Sequence, residues 1–200
     1  MSPAKQPTDL AASVRARLLN LSRQRGVEFQ LVLSEFAIER LLFRLGESAQ
    51  GARYVLKGAM LFKLWSDVRH RATWDLDLLG GGANGVADVV AVLRDLCAIR
   101  DEDAILFDAA SLAGEEIRAA DEYAGARVRL EARLGDARIP VQVDVGFGDA
   151  VEPAPTRQTY PTLLGHSPPR ILAYPREAVV AEKVEAMLSL GVTNSRMKDF

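Results

Sequence analysis

Apolar residues recur at helical spacing along some stretches of this chain and alternate with polar residues along others, and the two periods divide it into elements. Leu10, Val14, Leu18 and Leu21 form one stripe of a helix that Thr8 or Asp9 caps and that Gly26 stops after Arg25. Phe29, Val32, Phe36, Leu42 and Phe43 mark a second helix, over 28–45, ending at Gly46. A short strand at 53–56 leads into a helix beginning at Gly58, with Leu61, Leu64 and Trp65 turned inward. Trp74, Leu76 and Leu78 then alternate with Asp75 and Asp77 in a strand closed by Gly80, Gly81 and Gly82. Val89, Val92, Leu93 and Leu96 predict a helix over 86–98, and 104–108 reads as a strand.

Two alternating runs, ARVRLEARL and ARIPVQVDVG, flank Gly135-Asp136, a two-residue linker suited to a tight hairpin. In the second run Val141, Val143 and Val145 share one face, and Gln142, Asp144 and Gly146 share the other. The segment 151–170 holds five prolines and reads as an ordered loop or linker. Pro175 opens a helix over 176–190. Helices alternating with strands, followed by a hairpin, predict an α/β (α+β) fold with a mixed sheet and flanking helices. Three regions follow: an N-terminal helical cap over 1–50, a core over 51–150, and a linker with the start of a C-terminal helical segment over 151–200. Phe200 follows Asp199 with no helix stop signal, so the expectation is either a natural short form or a segment cut short.

The composition, 48% hydrophobic and 26% charged with both signs mixed, is that of a globular chain and excludes a disordered one. There is no apolar run long enough to span a bilayer and no signal-peptide core, and a single Cys97 forms no internal disulfide; a cytoplasmic protein with no membrane partner is expected. A net charge of −2 rules out a generally polyanion-binding surface. Charge is nevertheless uneven. Acids crowd 101–122, and Arg69-His70-Arg71 stands immediately before the Asp75/Asp77 pair.

Strand alternation puts Asp75 and Asp77 on one face with Cα atoms about 6.5–7 Å apart, within reach of one cation or two. Asp144 lies on the polar face of another strand. Three carboxylates aimed one way suit Mg²⁺, which takes a few protein oxygens and leaves positions for phosphate and water. Taken alone, D-x-D fits a strand end with its acids in water better than a metal site. Lys57-Gly58 after a strand adds a turn where backbone N–H groups could meet a phosphate, although an ordinary tight turn also calls for glycine. Lys183 falls on a stripe with Val179, Ala186, Met187 and Leu190; it either snorkels to the rim or points into a cleft. Glu182 and Glu185 lie off that stripe and read as surface. Arg71 either touches phosphate or pairs with a neighbouring acid. Asp199, beside Arg196 and Lys198, is by spacing an ordinary charged position.

The segments YVLKGAMLFKLW, RHRATWDLDLLG, VQVDVGFGD, YPREAVVAEKVEAMLSLG and SRMKDF, in that order, resemble the AbiEii/AbiGii-type nucleotidyltransferase toxins of the polymerase-β-like superfamily. The resemblance implies a nucleotidyltransferase-type sheet and an NTP as substrate, bound with one or two Mg²⁺ ions on Asp75, Asp77 and Asp144. It further implies nucleotidyl transfer to an RNA acceptor such as the tRNA 3′ end, and a cognate antitoxin. Asp144 would activate the acceptor hydroxyl or take its proton. Lys57, Gly58, Ala59, Arg71 and Lys183 would receive the phosphates, and Asp199 would stand near the active site. Ala59 occupies a position where many superfamily members carry Ser or Thr, so phosphate contacts here would fall to backbone N–H groups and lysines. Other branches of the superfamily modify small molecules or protein hydroxyls, and a module that only binds a partner through an acidic cleft is a third possibility.

Overall fold

The computed structural model describes residues 7–65, 73–82, 85–118, 124–148 and 150–190. Helices α1 (Pro7–Arg25) and α2 (Phe29–Glu47) precede strand β1 (Tyr54–Lys57), a 3-10 turn (Gly58–Leu61) and the single-turn helix α3 (Phe62–Trp65). Strand β2 (Asp75–Gly80), helix α4 (Val86–Ala98) and strands β3 (Ile105–Arg118), β4 (Ala124–Leu134) and β5 (Ala137–Phe147) follow. Short strands β6 (Thr156–Thr159) and β7 (Arg170–Ala173) and helix α5 (Arg176–Leu190) are the last of the described elements. The seven strands form one mixed sheet, in the order β3-β4-β5-β2-β1-β7-β6. Only β2–β5 and β1–β7 are parallel.

The sheet has a dry face and a polar face because β5 alternates along its length and β2 alternates from Asp75 through Leu78. Leu76 and Leu78 of β2 and Val143 and Val145 of β5 turn to the helices and are at most 3% exposed. There they meet Leu41 and Leu45 of α2 and Val89, Val92, Leu93 and Leu96 of α4 around one small apolar cavity. Burial of these side chains is what holds α2 and α4 on the sheet. Asp75, Asp77, Gln142 and Asp144 consequently turn to the opposite, polar face.

Two fully buried cations sit among the apolar positions of α2. Arg40 and Arg44 both donate to Asp103: Arg40 Nε to Oδ2 at 2.8 Å, Arg44 Nη1 to Oδ2 at 2.7 Å and Arg44 Nη2 to Oδ1 at 3.1 Å. Arg40 also donates to Asp101 and to the Ser167 carbonyl. Buried ions persist only when paired and hydrogen-bonded, and these pin α2 to the turn before β3 and to the 160s loop. Two acids of the 101–122 run are thereby paired, Asp103 fully buried and Asp101 at the edge.

Several expectations need correcting. The helix over 28–45 does not stop at Gly46 but runs to Glu47; Gly46 is there because a Cβ would lie 2.7 Å from the Arg170 carbonyl oxygen of the neighbouring strand. The strand at 104–108 extends to Arg118, carrying Asp108, Glu115 and Glu116 of the acidic run on the outer edge of the sheet. The segment 151–170 is not all loop: β6 lies within it, and β7 begins at its end to pair with β1. Four-residue strands, one of them exposed at every position, carry too little alternation to announce themselves. Trp74 precedes β2 in a bend and is 43% exposed, so it does not join Leu76 and Leu78 in the core. The hairpin, α4 and α5 form where predicted, with Leu134 opposite Ala137 across the two-residue turn.

Candidate active site

Sheet register brings five charged residues of five strands into one row. Lys57 (β1) is opposite Asp77 (β2), Asp77 is opposite Asp144 (β5), Asp144 is opposite Arg127 (β4), and Arg127 is opposite Glu115 (β3). Opposite charges alternate along this row except at one place: Asp77 and Asp144 are neighbours. Asp75 lies two residues before Asp77 on the same face, opposite Gln142. Adjacent strands are about 4.8 Å apart, so the carboxylates repel across the ladder as well as along the strand.

The electrostatics record that crowding. Burial first, then the nearby Asp144 and Asp75 charges, push the Asp77 carboxyl up to about 6, although Lys57 and Arg127 pull the other way. Asp75 is also raised, by burial and by Asp144, against Arg127 and Arg129. Asp144 is clamped: Arg127 Nε donates to Oδ1 at 2.8 Å and Nη2 to Oδ2 at 2.6 Å. Gln142 Nε2 adds a weak third bond at 3.4 Å. The hydrogen bond to Asp144 drives the Arg127 guanidinium pKa further upward.

Gly58 carries a steric requirement of its own. It adopts φ +73° and opens a 3-10 turn and a single turn of α-helix, which together offer little helix dipole. A Cβ at this position would lie 2.7 Å from Asp77 Cγ and 2.8 Å from its Cβ. Glycine is required because the backbone crosses directly over Asp77. Lys57 reaches across β2 toward β5, its Nζ 3.8 Å from where a Cβ of Gly146 would be and 5.5 Å from the Tyr174 ring centre. Ala59 continues the turn after Gly58.

Lys183 is half-buried on α5 with its Nζ 5.8 Å from the Phe62 ring centre, against the helix that follows the Gly58 turn. Arg176, on the same helix, stacks on Trp65 and donates to its carbonyl at 2.9 Å. Glu182 and Glu185 are exposed, as their spacing predicts. Arg71, His70 and Asp199 lie outside the described residues. The structure therefore brings together Asp75, Asp77, Asp144, Lys57 and Gly58, and places Lys183 on the element behind them.

Hard carboxylate oxygens crowded on one face are the donor chemistry that a divalent ion such as Mg²⁺ prefers. Asp75 and Asp77 fit that chemistry. Among the described residues, however, no three His, Cys, Asp or Glu side chains close around a single point. Both oxygens of Asp144 are engaged by a guanidinium instead.

Sequence reasoning missed Arg127, yet the signal was there. Counting seven residues back from Leu134 and seven forward from Ala137, the pair flanking the hairpin turn, lands on Arg127 and Asp144. A two-residue turn fixes the register, and the register fixes the partner.

No curated protein matches the sequence. Two solved structures are similar: JHP933 from Helicobacter pylori, at a TM-score of 0.49 and 14% identity over 80% of this chain and 58% of that one; and a protein provisionally described as a nucleotidyltransferase from H. pylori, at 0.49 and 14% over 79% and 59%. The chain thus spans just under three fifths of the length of these solved proteins. The family model for the nucleotidyl transferase AbiEii toxin, of a type IV TA (toxin–antitoxin) system, matches residues 40–200. That span contains every strand and every carboxylate of the row described above, and the chain belongs to the AbiEii nucleotidyltransferase toxin family.

Proposed function

We propose that this protein is a cytoplasmic, Mg²⁺-dependent nucleotidyltransferase that moves a nucleotidyl group from an NTP to an RNA hydroxyl, the tRNA 3′ end being the acceptor the family suggests. The observation that carries the reading is the Asp77–Asp144 adjacency, with Asp75 on the same face. A fold gains nothing from setting like charges side by side, so a row that alternates elsewhere and fails there marks a place for a cation. No helix among the described residues is long and apolar enough to cross a membrane.

Asp75, Asp77 and Asp144 would hold the metal, which when bound neutralises the phosphates and polarises the bond to be broken. The chain's own residues do the rest. Lys57, beside Asp77 in the row, and Lys183, against Phe62, offset the charge of the departing pyrophosphate. The acceptor oxygen bonds to the α-phosphorus, the bond to pyrophosphate breaks with its electron pair, and the hydroxyl proton passes to a carboxylate. Asp144 is the residue assigned that proton, and it accepts one when Arg127 yields an oxygen. Arg71 and Asp199 complete the proposed site from outside the described residues. Positioning and charge stabilisation supply most of the rate in such reactions. A cognate antitoxin belongs to the same reading.

The test is to supply each α-labelled NTP separately with Mg²⁺ and total RNA. Label in an RNA band, abolished by EDTA, is the expected result. No transfer from any NTP, or label in small molecules or protein alone, would reject the RNA-directed reading.

A further inference from the structure

The Arg127–Asp144 clamp conflicts with the role proposed for Asp144, and the conflict points to a device. A carboxylate whose two oxygens are both taken by one guanidinium cannot also be a full metal ligand. The pair is well made: two parallel N–H···O bonds of 2.8 and 2.6 Å, with side chains 31% and 19% exposed. It is reachable from solvent and therefore exchangeable, unlike the fully buried Arg44–Asp103 pair. The guanidinium also has a second carboxylate within its row, because Glu115 stands opposite Arg127 on β3 and pairs with Arg129 at 2.9 Å.

Resting on the proposed metal-dependent function, we propose that Arg127 is the counter-ion that a divalent metal displaces from Asp144. Without metal, Arg127 answers the charge of Asp144 and keeps the three-carboxylate set open. With metal, Asp144 would join Asp75 and Asp77 as a ligand, leaving the Arg127 guanidinium Glu115 as its remaining acidic neighbour in the row. Arg127 is thus a positioning residue that opposes premature closure of the site, and metal affinity is set by a competition. Lysine cannot substitute in it, because a point charge offers no bidentate fork.

The experiment is Mn²⁺ binding followed by the EPR signal of the free ion, for the wild type, Arg127→Met, Arg127→Lys, Arg127→Met/Asp144→Asn and Asp77→Asn. Losing a charge-assisted bidentate pair should tighten Mn²⁺ binding about tenfold in both Arg127→Met and Arg127→Lys. Adding Asp144→Asn should erase that gain. If Arg127→Lys binds like the wild type while Arg127→Met tightens, only net charge matters and the displacement is rejected. Weaker binding in both variants would make Arg127 a support for Asp144 and would likewise overturn the proposal. A wild type that binds Mn²⁺ no better than Asp77→Asn would remove the metal-dependent function itself, a failure distinct from the other two.

Discussion

Asp77 stands directly opposite Asp144 in the parallel pairing of β2 and β5, two carboxylates in adjacent positions of one sheet row. Burial and this neighbour hold the Asp77 carboxyl at about 6, above its ordinary 3.8. The folded protein then binds that proton more tightly than the unfolded chain, so the contribution is fully present below about pH 4 and is lost as pH rises through about 6. Asp77→Asn should abolish transfer and yet raise the melting temperature at pH 8 in EDTA, by at most roughly 3 kcal/mol of stability, with no gain at pH 4. Thermal melts at the two pH values check this; a loss of stability at pH 8 would contradict it.

Gly58→Ala should be disabling. The residue sits at φ +73°, and the added methyl meets the base of the Asp77 side chain. Left-handed strain alone costs about 1–2 kcal/mol, and Asp77 must also move. A fall of several degrees in melting temperature together with weakened Mn²⁺ binding is expected. Unchanged metal affinity would show that Asp77 keeps its place.

Lys57→Met and Lys183→Met separate two cations with different surroundings. Lys57 lies in the charge row, so its loss should both lower stability and reduce kcat/KM for the NTP by about tenfold or more. Lys183 rests on Phe62 at the edge of α5, and Lys183→Met should reduce kcat/KM comparably while leaving the melting temperature nearly unchanged. Full activity in Lys183→Met would remove that residue from the site.

Asp103→Asn should be among the most damaging changes far from the carboxylate row. Burial pushes Asp103 up, but hydrogen bonds from Arg44 and Arg40 outweigh it and hold the carboxyl below its ordinary value. Its stabilising contribution is therefore present above that ordinary value and lost as pH falls. Removing the charge leaves two fully buried guanidiniums without it, a loss of about 3–5 kcal/mol. Denaturant unfolding at pH 7 measures this; a change under 1 kcal/mol would mean that Asp101 and the backbone carbonyls suffice.

The legibility of the chain followed the strength of its periodicity. Helix α4, helix α5 and the β4–β5 hairpin formed within a residue or two of expectation, because each has a full repeat and a clear boundary residue. The polar face of β2 and β5 was legible for the same reason. Strands β6 and β7 were not, since four residues carry too few alternations and their pairing is non-local. Arg40 and Arg44 are charges within α2 whose burial no local pattern announces, because the Asp103 that makes it tolerable is distant in sequence. Arg127 was hidden among Arg129 and Arg133, which share its face; register alone selects it. At Gly58 the steric pressure from Asp77 was not legible, because it depends on how β1 and β2 lie against each other.

The central claim is that the carboxylate row holds a divalent ion for nucleotidyl transfer. The most direct measurement is Mg²⁺-dependent incorporation of α-labelled nucleotide into RNA by the wild type and by Asp77→Asn, with both proteins shown to be folded by their melts. The account predicts robust labelling by the wild type and a loss of at least about a hundredfold in the variant. Equal labelling by the two proteins would contradict it.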